Sequence, residues 1–517
     1  MTEMAGMSRR RFVRQAMLAG CALISGGTLF GQGGVVELEV ELLTPLGRLA
    51  GVRSGAVRVF RGVPFAEAPV GSGRFRAPVT KQAWTGVRDA TQFAAAAVQP
   101  GERGFAQSED CLYLNVWTPD GAPKGLPVFV WIHGGGFTGG ASFEPLYDGA
   151  EFARRGMVVV TVAYRLGVLG FMDLEPLLGA EYAGSANNAM RDLMMALDWV
   201  QRNIESFGGD SARVTIGGES AGAKLTDLLM GVPSAEKLFS GMISESGGAE
   251  RIWPKSNAQS VGEGFGKQWR DGGAGRTLAD LRTAPARLLM ETQVAFYETW
   301  PQHFPLRCEL DGALFPALPI KTIAAGSAKG KRLLIGTNRD ESAAFLGAHP
   351  SHDPGASDLG NMSAESFSKV YARYGLIYPE MAVEQRRVRA ATAEEYWVPS
   401  IRVADAAANS GVQVWMYELE FARSGGMSKG EAFHGEELAL VWDKPNTEYG
   451  SAAEEAALAG QVHGAWAAFL QGEAPCAVGL PAWPEYHAET RSTMMLDVAS
   501  RVMNAPQEAE LELWREL

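Results

Sequence analysis

Two short stretches of the chain carry residues whose types and spacing suit acyl transfer. In residues 214–223, VTIGGESAGA, a β-branched run is followed by Gly217 and Gly218, which end it, and by a Gly-Glu-Ser-Ala-Gly turn. That pattern reads as a strand closing in a sharp bend that pushes one hydroxyl out of the backbone. The small neighbours have a physical reason, since two chain segments cross beside a nucleophile on such an elbow and larger side chains would collide. Ser220 is therefore the candidate nucleophile. Upstream, PVFVWIHGGGF at 127–137 is an apolar strand running straight into three glycines, whose backbone N–H groups are free to point at a developing oxyanion. In a chain with 62 glycines a lone GxSxG is weak, and the pairing of the two stretches in this order is what makes it specific.

The elements that must hold these groups follow from the hydrophobic pattern. Short, near-continuous apolar runs at 128–132, 157–163, 214–216, 333–335 and 412–417 read as strands buried on both faces. Helical patterns lie between them; the one from about 187 to 204 carries Met194, Leu197 and Val200 at core spacing. Residues 35–60 alternate apolar and polar around Gly47, Gly51 and Gly55, as antiparallel strands at a sheet edge do. The class is α/β, a large, mostly parallel, twisted sheet with helices on both faces and antiparallel N-terminal strands. The stretch 347–361, with Pro350 and Pro354, reads as an insertion and not a linker, so 35–517 is expected to form one domain. With 46% hydrophobic and 21% charged residues the chain has the composition of a globular protein with a substantial core. A formal net charge of −12 argues against binding nucleic acid through a general electrostatic field.

Residues 1–34 read as an address and not as part of the fold. Ser8-Arg9-Arg10-Arg11-Phe12 opens a basic stretch, and the apolar run at 16–30 is shorter than the ~20 residues of a membrane span. The segment is similar to a bacterial twin-arginine export signal, which implies a periplasmic or secreted protein without a stable membrane anchor. Leu18-Ala19-Gly20-Cys21 also fits a lipoprotein box, but the apolar run begins just before it and continues past it. Removal near 31–34 is preferred over lipid attachment at Cys21. The four cysteines, Cys21, Cys111, Cys308 and Cys476, are too sparse for a metal cluster or a disulfide framework, and Cys308 with Cys476 is the one pairing left open.

The blocks FRGVPFA at 60–66, GRFRAP at 73–78, SEDCLYLNVW at 108–117, HGGGF at 133–137, YRLGVLGF at 164–171 and FGGDSARVTIGGESAG at 207–222 resemble, in order, the signature blocks of the type-B carboxylesterase family. This branch of the α/β-hydrolases also holds cholinesterases, bacterial p-nitrobenzyl-type esterases and some lipases. The resemblance runs from about residue 35 to Trp483-Pro484-Glu485-Tyr486. It implies an α/β-hydrolase fold with helical and loop segments inserted over the site.

In that fold the serine is followed along the chain by an acid and then a histidine. A general base needs a pKa near neutrality, which points to histidine, and chain order removes only His133. His434 stands out because Phe433-His434-Gly435-Glu436-Glu437-Leu438 places it in a loop after a strand, with a glycine for a tight turn. His463 reads as a packed helix residue, His349 and His352 as exposed in the insertion, and His303 and His487 as surface or structural. For the acid, LLIGTNRDE at 333–341 is a strand entering a turn with two carboxylates, Asp340 and Glu341. The family's GxNxDE turn implies Glu341, with Ser342 standing where members usually have Gly. The resemblance further implies Gly135, Gly136 and Ala221 as oxyanion-hole N–H donors, and Glu219 and Ser246 as neighbours of the triad.

Together these residues describe nucleophilic acyl transfer to a small-molecule ester, with no metal or organic cofactor required. Some departures from the family pattern narrow what can be carried across. FAAAAVQ at 93–99 lacks the cysteine that often pairs with the one at Cys111, which should therefore be free and buried. The loop at 100–107 is short and lacks the tryptophan that holds a quaternary ammonium, so a choline ester is unsupported. Ala163, Ala189 and Leu193 replace the usual Asn, Gly and Gln. Lys224 sits where a small residue is usual and faces either an acidic substrate group or, preferably, a structural carboxylate. The same triad would serve an amide, carbamate or thioester. A non-catalytic, cholinesterase-like binding module is the remaining alternative, against which the intact Ser220, Glu341 and His434 argue.

Overall fold

One thirteen-stranded sheet organises the chain. The computed structural model describes residues 37–515 apart from 122–123, 347–359, 427, 447 and 450, so the export-signal stretch, His349 and His352 lie outside the described residues. The N-terminal edge is antiparallel, from β1 (Leu38–Thr44) through β2 (Gly47–Ser54) and β3 (Val57–Pro64). A short β4 (Val87–Asp89) lies parallel to β2, and β5 (Tyr113–Pro119) pairs antiparallel with β3. The centre comprises β6 (Leu126–Ile132), β7 (Val158–Val162), β8 (Gly209–Glu219), β9 (Gly241–Glu245), β10 (Arg332–Asn338), β11 (Gln413–Leu419) and β12 (Thr493–Leu496). They stand in the order β7-β6-β8-β9-β10-β11-β12, and every neighbouring pair is parallel. β13 (Arg501–Met503) then closes the far edge antiparallel to β12, a second antiparallel edge that the hydrophobic pattern does not announce.

The near-continuous apolar runs are explained by cores on both faces of the sheet. In β6, Val128, Val130 and Ile132 enter one core while Phe129 and Trp131 enter the other. β10 repeats the split, with Leu333 and Ile335 on one side and Leu334 on the other. Helices α1 (Asn188–Asn203) and α2 (Ala221–Met230) cover the first face through Met190, Leu197, Val200, Leu225 and Leu228. Further along the chain come α3 (Ala364–Ile377) and α4 (Val383–Thr392), and then α5 (Ala452–Gln471), which covers the second face through Leu458, Val462, Trp466 and Phe469. His463 is buried in α5, as its helical spacing predicts. Among the described residues no helix is long and apolar enough to cross a membrane.

Helix α6 (Glu508–Arg515) is tied to the turn that follows β10. Its Glu510 carboxylate is buried and accepts hydrogen bonds from Tyr374 Oη at 2.7 Å, Tyr378 Oη at 2.8 Å and Arg389 Nε at 2.8 Å. Arg389 in turn donates to the Arg339 carbonyl at 3.2 Å. Cys111 and Cys308 are buried, Cys476 is exposed, and all three are free, so the pairing of Cys308 with Cys476 does not form. The reason is placement: Cys308 lies in a covered short strand and Cys476 on the surface beyond α5.

The block that begins at Tyr164 is anchored by an ion pair. Arg165 donates Nε and Nη2 to the two carboxylate oxygens of Asp192 on α1, at 2.8 and 2.6 Å, with both side chains buried. A buried pair is costly to break because the surviving charge is left desolvated. Asp192→Ala is therefore expected to destabilise the protein by about 3–5 kcal/mol, read as a lower urea midpoint with an unchanged slope. A loss below 1 kcal/mol would refute the anchoring role.

Candidate active site

The elbow is built where β6 and β8 lie side by side. β8 does not end at Gly217 and Gly218 as the sequence pattern suggested; Gly217 pairs with Trp131 and Ile243, Gly218 with Ile132 and Ser244, and the strand runs to Glu219. The glycines serve close approach and not termination. A Cβ on Gly218 would stand 2.4 Å from the Ile132 carbonyl oxygen, and one on Gly222 only 1.9 Å from it. Between them Ser220 takes φ +55° and ψ −119°, a backbone state that side-chain-bearing residues rarely adopt, and its N–H donates to the Glu245 carbonyl at 2.8 Å.

The glycine loop after β6 sits against that serine. A Cβ on Gly134 would be 3.3 Å from Ser220 Cβ, and Gly135 and Gly136 take φ +110° and +60°. Thr138 and Gly139 both donate to the Gly135 carbonyl at 3.0 Å, which folds the loop back on itself. Among the described residues neither the Gly135 nor the Gly136 N–H donates to a backbone carbonyl. His133 below the loop is buried and stacked on Tyr164 at 4.6 Å; burial lowers its pKa to about 4, so it stays neutral and structural.

His434 and Glu341 meet. His434 Nδ1 lies 2.6 Å from Glu341 Oε2, and the turn that delivers the ring is made by Gly435 at φ +80°. Glu341 is fully buried, and its other oxygen accepts from Ser246 Oγ at 2.5 Å and from the Asn338 N–H at 2.8 Å. Asp340 points elsewhere, to the Arg339 guanidinium at 2.7 Å and the Ala432 N–H at 3.1 Å, so geometry separates two carboxylates that the residue types alone leave equivalent. His434 Nε2 is 3.1 Å from Glu219 Oε1, which sets the imidazole beside the residue that precedes Ser220. Tyr396 and Phe345 flank the imidazole at 4.7 and 5.2 Å between ring centroids.

Sequence reasoning missed two further carboxyls here. Glu245, next to Ser246, accepts from Trp466 Nε1 at 2.7 Å, and burial pushes its pKa up to about 8. Glu437, three residues after His434, bonds Asn338 Nδ2 and is pushed well above the usual carboxyl range by burial and then by Glu219. Glu219 is raised in the same way, by burial first and then by Glu341 and Glu245. The signal for them was an acidic residue placed inside an apolar motif. Phe304 was missed altogether: its ring edge is 3.5 Å from where a Gly136 Cβ would be, and His303, expected at the surface or in a structural role, stacks on it at 3.7 Å. His487 is exposed. Lys224 is buried and donates to the Gly247 carbonyl at 2.9 Å, the Glu395 carbonyl at 3.0 Å and Glu395 Oε1 at 3.2 Å, so it has the structural carboxylate partner.

Residues 38–514 match the family model described as the carboxylesterase family. The chain is 35% identical to the para-nitrobenzyl esterase of Bacillus subtilis (strain 168) over 490 residues, covering 90% of this chain and 96% of that protein. A solved PNB esterase superposes with a TM-score of 0.81 at 33% identity, over 92% of this chain and 99% of that one. A carboxylesterase from Geobacillus stearothermophilus gives a TM-score of 0.81 at 32% identity, with the same coverage.

Two outcomes follow from this geometry. Gly222→Ala forces a methyl group into the Ile132 carbonyl, so ester hydrolysis should fall to background and the thermal midpoint should drop; wild-type activity would refute the close-approach constraint. Asp227 on α2 holds the same region by accepting from Ser244 Oγ at 2.9 Å and the Gly248 N–H at 2.6 Å, and burial raises its pKa from 3.8 to about 7. Between those values the folded state keeps a proton that the unfolded chain has released, so stability falls as pH rises from about 4 to 7. Asp227→Asn should flatten that decline in denaturation curves taken at pH 5 and pH 8. Parallel curves for the two proteins would refute it.

Proposed function

Because the chain belongs to the carboxylesterase family, and is thus a carboxylic ester hydrolase of the α/β-hydrolase fold acting on small-molecule esters, we propose that Ser220 is its nucleophile, His434 its general base and Glu341 the acid that orients the imidazole. The observation that carries the reading is the imidazole held at 2.6 Å by Glu341 on one side while its far nitrogen lies 3.1 Å from Glu219, the residue joined to the serine. Glu341 accepts a hydrogen bond from the Nδ1–H group, which fixes the tautomer and leaves Nε2 to take the Ser220 proton as the hydroxyl attacks the ester carbonyl. The N–H groups of Gly135, Gly136 and Ala221 receive the oxyanion, each worth about 3–4 kcal/mol in the transition state. His434 then returns its proton to the leaving alcohol, and water repeats the cycle on the acyl-enzyme.

Glu219 supports the imidazolium that forms on each transfer, and Ser246 holds Glu341 in place. Esters of small to medium size are the proposed substrates, with amides, carbamates and thioesters open to the same machinery. The twin-arginine stretch supports export to the periplasm or beyond, with residues 1–34 removed and 35–517 acting as one domain.

A stoichiometric organophosphonate should give one adduct, on the peptide containing Ser220, with hydrolysis of a short-chain 4-nitrophenyl ester lost in proportion. Ser220→Ala should lower kcat by at least about 10⁴-fold. Labelling elsewhere, or full activity in the variant, would overturn the assignment.

A further inference from the structure

The wall beside the glycine loop holds three buried basic side chains. Arg251, 3% exposed, places its guanidinium carbon 3.9 Å from the Phe304 ring centroid, and Phe304 lies against Gly136. Arg307 stacks over Trp253 at 4.1 Å and donates to the Phe304 and His303 carbonyls at 2.9 and 3.3 Å. Lys224, one helical turn after Ser220, places its ammonium 4.9 Å from the Tyr396 ring centroid.

The acidic groups facing these cations do not match them. Glu395 is bonded by both Arg251 and Lys224; burial raises its pKa, but those two cations outweigh burial and hold it at about 2, so it is ionised. Glu394 is raised to about 7 by burial and then by Glu395, and it accepts from the backbone N–H groups of Gly360, Asn361 and Met362. Glu250 is raised by burial and lies 3.8 Å from Arg402. Three buried cations thus face one firmly ionised carboxylate and two carboxyls that burial raises, and His303 beside them has its pKa depressed to about 3 by burial and then by Arg251. Lys224 has its donors spent on protein oxygens, so it supplies charge alone. Arg251 differs, because its Nη1 is buried and has no hydrogen-bond partner among the described residues. A guanidinium nitrogen left dry and unpaired is costly, and with Nη2 held by Glu395 the free Nη1 is a charged donor for one oxygen of a further carboxylate.

We propose that Arg251, seated on Phe304, forms a subsite for a carboxylate carried on the acyl part of the ester, so that the enzyme favours half-esters of dicarboxylic acids. This rests on the reading of Ser220 and His434 given above. His434 must protonate the leaving alcohol, so the alcohol departs on the imidazole side, which turns the acyl part toward the glycine loop, where Phe304 lies against Gly136 and carries Arg251 on its ring.

The test compares mono-4-nitrophenyl adipate with 4-nitrophenyl hexanoate, which have the same acyl length and differ in the terminal carboxylate. Wild-type kcat/KM should favour the adipate, more so at low salt than at high salt. Arg251→Met should lower the adipate-to-hexanoate ratio at least about tenfold through KM, with Arg251→Lys in between. A ratio unchanged in Arg251→Met overturns the inference. If that variant does not fold, adipate should inhibit the wild-type enzyme competitively where hexanoate does not, and equal inhibition by the two acids overturns it. Turnover of neither ester, with Ser220 unlabelled by the phosphonate, overturns instead the underlying assignment of the site.

Discussion

The carboxyl end of β6 passes so close over the serine elbow that two positions there can carry no side chain. The Ile132 carbonyl oxygen occupies the space that a Cβ on Gly218 or Gly222 would need. This contact joins the two halves of the site, because the strand that crosses the elbow is the one that continues into the glycine loop. Parallel pairing of β6 with β8 ends both strands at the same edge of the sheet, and β10, two strands further along beyond β9, reaches that edge to bring Glu341. The strained serine conformation is stabilised by that packing and by the hydrogen bond from its N–H to Glu245.

Charge is arranged asymmetrically around this scaffold. Beneath the imidazole lie Glu219, Glu245 and Glu437, whose pKa values burial raises, that of Glu245 to about 8. On the glycine-loop side lie Arg251, Arg307 and Lys224 around one firmly ionised carboxylate. The imidazole thus sits among carboxyls that burial discourages from ionising, whereas an anionic substrate group on the other side would meet cations, only a few side chains apart. The walls between are aromatic, with Tyr396 buried beside His434 and Phe304 half-buried beside Gly136.

The α/β class and both motif-bearing segments were legible in the sequence because their information is local: alternation along a strand, a glycine beside a bend, an order of blocks. The bounds of β8 were not, since Gly217 and Gly218 read locally as breakers while their ladder partners on β6 and β9 keep them extended. The choice between Asp340 and Glu341 needed the resemblance, because two adjacent carboxylates in one turn differ only in where the turn aims them. Phe304, Arg251 and Tyr396 come from segments with no motif, and only tertiary packing makes them neighbours. Lys224 lay between, visible as an oddity beside the elbow but without its partner Glu395, which lies 171 residues away.

The Glu510 carboxylate gathers Tyr374, Tyr378 and Arg389, and through Arg389 the carbonyl of Arg339 at the turn bearing Glu341. Lifting α6 away would strand a buried guanidinium and two phenol hydroxyls at once, so the helix has no cheap way to fray by itself. Helices α3, α4 and α6 and the turn after β10 are therefore bound together through one carboxylate, as the parts of a single cooperative unit are. A helix at the edge of the fold thus helps to hold the turn that carries Glu341, so the carboxylate at the base of the site is positioned in part by a segment it never touches.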